Sequence, residues 1–246
     1  MKREFIYGLN AVVEALDSGA ALEEIHLASG LRAAARRDLE RLAAAAGVPV
    51  RKSTRRELDR LARGGVHQGV VAAWGMPAPV ALEELAAGAP GPSGRVILVC
   101  LDQVQDPRNV GAVARSALAF GAAGLVLPSR RTAGPGGGAL KASAGALARL
   151  PVAQVGNLGQ ALERLKALGF WISGAVLEGG QAPWEFDPGD KVALVLGSEG
   201  GGLRRGVAGK LDFAVRIPMG AASESLNVSV AGALLLYEWL ARPPAG

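Results

Sequence analysis

Apolar residues recur at helical spacing over residues 8–16, where Leu9, Val12, Val13 and Leu16 predict a helix. The pattern then predicts a strand over 24–28, a helix over 32–46 ended by Gly47, and a strand over 48–51. Ser53 is a candidate N-cap for a further helix, and a strand over 69–74 closes this stretch. Residues 76–93 are dense in proline and glycine around a short helical stretch, the composition of a linker. From residue 95 the pattern changes. Apolar runs at 96–101, 124–127, 170–177, 191–196 and 213–217 are continuous rather than alternating, as in strands buried on both faces of a parallel sheet. Helical patterns at 108–120, 157–168 and 225–241 separate some of these runs. The predicted architecture is α/β, with a small α/β domain over 1–75, a linker over 76–93 and a parallel-sheet domain over 94–246. In open sheets of this kind ligands bind beyond the carboxyl ends of the strands. The unusual residues of this sequence fall there.

Composition narrows the function classes. Half of the residues are apolar, so the chain is globular. One cysteine, Cys100, and two histidines, His26 and His67, cannot assemble a zinc site within one subunit or a disulfide framework, so no metal is expected. The absence of disulfides suits a reducing cytoplasm. The apolar segment 228–241 is too short to span a bilayer and is broken by Glu238, and the first residues hold no apolar run of signal-peptide length. A cytoplasmic protein without a membrane partner is expected. The net charge is a modest +5, but its placement is uneven. Arg32, Arg36, Arg37 and Arg41 form one group, and Arg51, Lys52, Arg55, Arg56, Arg60 and Arg63 a second. Such clusters neutralise phosphates, and Arg55, Arg56 and Arg60 are candidate phosphate contacts, though charge alone does not name the partner. On charge alone, a solvated helix face accounts for them equally well.

Three segments carry chemistry. In Leu101-Asp102-Gln103-Val104-Gln105-Asp106-Pro107-Arg108-Asn109-Val110-Gly111 a strand ends, a polar turn comes next and a helix opens near Pro107, a favoured first helical position. Arg108, Gly111 and Arg115 lie near one stripe of that helix, so Arg115 is expected to reach over the bare Gly111 toward the strand ends. In Val195-Leu196-Gly197-Ser198-Glu199-Gly200-Gly201-Gly202 a strand runs into a glycine-rich turn that lets a ligand approach the backbone, with one carboxylate inside it. No Gly-Lys-Ser or Gly-Lys-Thr comes after it, so this is not a P-loop. In Ile217-Pro218-Met219-Gly220-Ala221-Ala222-Ser223-Glu224-Ser225-Leu226-Asn227 a strand leads through small residues into the last helix. Ser225 or Ser223 is the expected cap of that helix, which leaves Asn227, a weak helix former, unexplained by capping. Taken singly, each segment is also compatible with an ordinary strand-to-helix turn. A further run, Gly134-Pro135-Gly136-Gly137-Gly138-Ala139, does not directly succeed a strand and is read as a flexible loop rather than a dinucleotide fingerprint.

In this order the three segments resemble the SpoU family of RNA ribose 2′-O-methyltransferases, within the SPOUT superfamily. Asn109, Gly111 and Arg115 match its Asn-x-Gly-x-x-x-Arg motif, and Gly197, Glu199 and Gly202 its Gly-x-Glu-x-x-Gly motif. Ile217-Pro218-Met219 and the run Ser225, Leu226, Asn227, Val228, Ser229 match its third. The N-terminal segment resembles the substrate domain of one branch through Gly8-Leu9-Asn10-Ala11-Val12 and His67-Gln68-Gly69. That branch modifies a guanosine in the peptidyl-transferase region of 23S ribosomal RNA. The resemblance implies a trefoil-knotted parallel-sheet fold and a homodimer whose site borrows residues across the interface. It implies S-adenosylmethionine held by Leu196, Gly197, Ile217, Met219 and Leu226, with Asn109, Arg115, Glu199, Ser225 and Asn227 around the ribose and its phosphate. It makes Arg55, Arg56, Arg60 and Arg108 the candidate RNA contacts. A transfer RNA substrate, or an RNA-binding relative without catalysis, is the alternative. A dinucleotide-dependent oxidoreductase is disfavoured by the missing fingerprint context.

Overall fold

The computed structural model describes residues 4–17, 22–74, 78–220 and 225–241. Two compact units divide the chain, Met1–Pro77 with Ala144–Arg149, and Ala78–Ser143 with Leu150–Gly246. The first unit contains β1 (Glu4–Tyr7), α1 (Leu9–Asp17), β2 (Leu22–Ala28), α2 (Ala33–Ala45), β3 (Val50–Ser53), α3 (Arg55–Leu61) and β4 (Val70–Trp74). Its sheet has the order β1-β4-β2-β3, with β2 and β3 parallel and the other pairs antiparallel. Strand β1 has no counterpart in the predicted pattern.

The cap of α3 is a correction. Thr54, not Ser53, starts the helix: its hydroxyl accepts from Glu57 N–H, and Glu57 Oε2 accepts in return from Thr54 N–H at 2.7 Å. The hydrogen bond from the Thr54 backbone, and then that from its hydroxyl, hold the Glu57 carboxyl below its usual range. Ser53 ends β3 as a buried residue and faces His26 Nδ1 at 3.0 Å.

The second unit begins with α4 (Leu82–Ala86) inside the stretch expected as a linker. Leu82, Leu85 and Ala86 are buried in this unit's core, so the segment packs rather than spans. The chain continues through β5 (Val96–Leu101), α5 (Pro107–Phe120), β6 (Gly124–Pro128), α6 (Gly137–Ala142) and α7 (Ala146–Arg149, grouped with the first unit). Then come β7 (Val152–Val155), α8 (Leu158–Ala167), β8 (Trp171–Ala175), β9 (Lys191–Leu196), α9 (Arg205–Ala208), β10 (Phe213–Val215) and α10 (Val228–Leu236), which ends in a π-helical turn, Tyr237–Ala241. The six strands form one parallel sheet in the order β10-β8-β9-β5-β6-β7. Parallel strands need cover on both faces, and Ile97, Leu98, Val99 and Val192 to Leu196 are fully buried.

The glycine run read as a flexible loop is also corrected. From Gly137 it opens α6, and Ala139 and Leu140 are wholly buried. Among the described residues no helix is long and apolar enough to cross a membrane. Cys100, buried near the end of β5, has its thiol pushed up to about 12 by burial. Only the thiolate reacts. The folded protein is therefore expected to leave a thiol-specific chromogenic reagent untouched at pH 8, and to titrate as one thiol after denaturation.

Candidate active site

The register of the sheet builds the site. Leu101 at the end of β5 pairs with Leu196 at the end of β9, and Ala175 at the end of β8 pairs with Val215 at the end of β10. Four neighbouring strands thus finish side by side, and the segments that leave them meet at one edge. After β9 the chain folds back on itself: Ser198 and Gly202 exchange backbone hydrogen bonds of 3.1 and 3.0 Å. Gly197 is required there, since a Cβ would stand 2.4 Å from the Gly202 carbonyl oxygen. This loop, the ends of β8 and β10, and the start of α10 enclose a cavity of about 340 Å³. Leu196, Gly197, Ile217, Met219 and Leu226 all line it, together with Glu199 and Ser225. Ala175, Val176 and Leu177 line it as well. Sequence reading missed these three, which read only as the tail of an apolar strand.

At the cavity rim three side chains from distant parts of the chain converge. Asn109 Nδ2 donates to Glu199 Oε1 at 3.0 Å, and Asn227 Nδ2 donates to Asn109 Oδ1 at 3.0 Å and to the same Glu199 oxygen. Asn227 is also the N-cap of α10, its Oδ1 accepting from Ser229 N–H at 2.9 Å. This overturns the expectation that Ser225 or Ser223 caps the helix; Ser223 lies outside the described residues. The carbonyl of the Asn227 amide serves the helix and its amino group serves the cluster, so one side chain does both.

Arg115 is not brought to this cluster. It is exposed on α5 and lines no part of the cavity. Gly111, expected to leave room for it, is buried instead under α6, where a Cβ would stand 2.3 Å from the Ala139 carbonyl oxygen. Arg108 is exposed and engaged by Asp106, the N-cap of α5, at 2.9 Å. The Asp106 carboxyl lies below its usual range, held first by the Arg108 side chain and then by the Arg108 N–H. Arg55, Arg56 and Arg60 are exposed on α3.

One pair escaped sequence reading altogether. Asp102, immediately after β5, is 0% exposed and binds Arg204 three ways: backbone N–H at 2.9 Å, Nε at 2.7 Å and Nη2 at 2.6 Å. Arg204 closes the far end of the glycine loop, so the pair fastens that loop to the neighbouring strand. A lone Asp at a strand end gives no signal of a partner 102 residues away.

Residues 96–237 match the family described as SpoU rRNA Methylase, and residues 5–79 match the RNA 2′-O ribose methyltransferase substrate-binding family. The chain belongs to the SpoU rRNA methylase family. It is 36% identical over 246 residues to a putative TrmH family tRNA/rRNA methyltransferase of Bacillus subtilis, covering 98% of that protein. It is 37% identical to a 23S rRNA (guanosine-2′-O-)-methyltransferase of Xylella fastidiosa, over 96% of both chains. The AdoMet-bound rRNA methyltransferase of Sinorhizobium meliloti superposes with a TM-score of 0.71 at 25% identity, covering 96% of this chain and 86% of that one. A solved RNA 2′-O ribose methyltransferase does so with a TM-score of 0.68 at 28% identity, covering 97% and 88%. S-adenosylmethionine is the cofactor of this family, and the cavity fits it: a mostly apolar slot whose glycine wall leaves backbone N–H and C=O groups bare for the polar edges of an adenosine. Among the described residues no group of three His, Cys, Asp or Glu side chains is placed to hold a metal ion.

Two substitutions test the division of roles in this SpoU site. Asn227→Ser keeps a capping oxygen but is too short for Glu199, so stability should change by less than about 0.5 kcal/mol while methyl transfer falls at least about tenfold. Asn227→Ala should lose about 1 kcal/mol besides, from the missing cap. For the clamp, Arg204→Ala strands a buried carboxylate and should cost about 3–5 kcal/mol. Asp102→Asn leaves only a half-exposed guanidinium and should cost clearly less. Chemical denaturation of both variants checks the order.

Proposed function

We infer that this protein transfers a methyl group from S-adenosylmethionine to the 2′-hydroxyl of a guanosine ribose in 23S ribosomal RNA. The observation that carries the reading is that Glu199 belongs to both halves of the site: it lines the cavity and holds the Asn109 and Asn227 amides. A ribose at that cluster adjoins whatever fills the cavity. The named activity of the Xylella relative and the substrate-binding match over residues 5–79 support ribosomal RNA. Transfer RNA, included in the name of the Bacillus relative, is the second reading.

When bound, the cofactor supplies an electrophilic methyl group on a sulfonium. Leu196, Ile217, Met219 and Leu226 hold it by apolar contact, and Gly197 by exposed backbone. Asn109 and Asn227 fix the Glu199 carboxylate through one oxygen. Its Oε2 takes no hydrogen bond among the described residues and is the acceptor we assign to the ribose hydroxyl proton. Ser225 at the cavity wall orients the ribose. A guanidinium is a poor base, so the role of Arg115 is to bind the phosphate and stabilise the developing alkoxide.

Arg115 finds its place in a homodimer. Val230, Leu234 and Tyr237 form an exposed apolar stripe along α10 and its terminal turn, the kind of surface a second copy covers. In that arrangement Arg115 serves the partner's cavity. The assignment extends to the knotted threading of the C-terminal stretch and to the cytoplasm as the place of action. It also makes residues 1–75 the RNA-gripping domain and residues 94–246 the methyltransferase domain.

Mapping 2′-O-methylation across total RNA with and without this gene tests the substrate. Loss at one 23S guanosine is expected, and loss at a transfer RNA position instead establishes the second reading. Arg115→Ala should lower turnover by about 100-fold or more with S-adenosylmethionine affinity within about twofold by calorimetry. Wild-type turnover would remove Arg115 from the mechanism.

A further inference from the structure

Loop 63–69 of the first unit is built more rigidly than a connector between α3 and β4 requires. Gly64 N–H donates to the Asp59 carbonyl at 3.1 Å and Gly65 N–H to the Ala62 carbonyl at 2.9 Å. His67 is buried and held from both sides, Nδ1 accepting from Gly69 N–H and Nε2 facing Asp59 Oδ1, each at 3.0 Å. Two residues other than glycine, Arg63 at φ +50° and Gln68 at φ +52°, stand in the left-handed region. Such conformations persist where the surroundings over-determine them, and they cluster at functional sites.

The surface of this loop is chemically specific. Val66 is 80% exposed. Tyr7, at the end of β1, is 42% exposed and lies against the Gly65 backbone, where a Cβ would stand 2.4 Å from the ring. Gln68 Oε1 accepts from Leu9 N–H at 3.2 Å, which joins the loop to the start of α1, while its Nε2 has no partner among the described residues. The Gly8 position sits between the Gln68 side chain and the Val66 carbonyl, so these groups form one continuous surface. An exposed aromatic ring, a bare aliphatic side chain and an unpaired amide donor, adjoining the arginines of α3, suit a nucleobase better than a phosphate.

We propose that Tyr7, Val66 and Gln68 form a base-reading platform that takes one unstacked nucleotide of the RNA substrate, Tyr7 by stacking and Gln68 Nε2 by donating to the base edge. The proposal rests on RNA being the substrate. It assigns specificity to this surface and leaves charge neutralisation to Arg55, Arg56 and Arg60. Because the loop is already fixed, little ordering entropy is lost on binding.

The test measures affinity of the full-length protein at several salt concentrations. The probes are an unmodified transcript of the peptidyl-transferase region of 23S ribosomal RNA and a fully paired RNA duplex of equal length. Tyr7→Ala should weaken transcript binding roughly five- to a hundred-fold with an unchanged salt slope, and leave duplex binding as in the wild type. Tyr7→Phe should retain most of the affinity. Gln68→Glu keeps the acceptor for Leu9 N–H while removing the donor. It should weaken transcript binding more than duplex binding, and so provides a second readout should Tyr7→Ala disturb folding. The triple Arg55→Ala, Arg56→Ala, Arg60→Ala variant should instead flatten the salt slope on both probes. Wild-type affinity in both Tyr7→Ala and Gln68→Glu, or equal losses on transcript and duplex, would overturn the platform. Methyl transfer by the wild type to the same transcript, monitored in parallel, separates the two ideas. Its absence counts against the enzymatic reading, whereas methylation with unaltered binding by the variants removes only the platform.

Discussion

Every strand of the β5–β10 sheet runs parallel to its neighbours, and a parallel sheet must be covered on both faces. The polar groups of the site therefore gather where the strands stop rather than on their covered faces. The pairing of Leu101 with Leu196 and of Ala175 with Val215 makes four strands stop together. The cavity, the glycine loop and the Asn109–Glu199–Asn227 cluster all depend on that alignment. A one-residue slip between β5 and β9 would part Asp102 from the backbone of Leu196 and the loop behind it.

The glycines of the site serve two different ends. Gly197 lets the chain double back so that backbone, not side chain, faces the cavity, which suits a ligand recognised through its polar edges. Gly111 serves packing: it admits α6 against α5 and thereby sets the helix on which Asn109 and Arg115 ride. The two motif glycines thus act through opposite physics, one by exposing backbone to a ligand and one by burying it against another helix.

Asn227 shows why helix propensity alone misjudges a terminus. In a helical turn asparagine is weak; as an N-cap it ranks among the strongest. Its amide has a donor and an acceptor end, and the fold uses the acceptor for α10 and the donor for Glu199. The start of the last helix and the geometry of the reactive cluster are in this way coupled through a single planar group. The Asp102–Arg204 clamp does the same for the other wall, with a buried carboxylate that gains its hydrogen bonds only when the glycine loop is closed.

By itself the sequence determined a great deal. Continuous apolar runs announced β5, β6, β8, β9 and β10, and spaced Asn, Gly, Glu and Arg residues announced the family, because burial on both faces and the demands of a tight turn leave marks within a few residues. Short elements such as β1, β7, α6 and α9 had no counterpart in the pattern, since none lies in an apolar run as long as those that mark β5 and β9. Which oxygen faces which amide, that Asp102 and Arg204 meet, that Gly111 lies under α6 and that Arg115 stays outside the cavity were decided by tertiary structure alone. These are contacts between residues tens to more than a hundred positions apart. Their geometry depends on strand register and helix packing, and a local pattern of residue types carries no record of either.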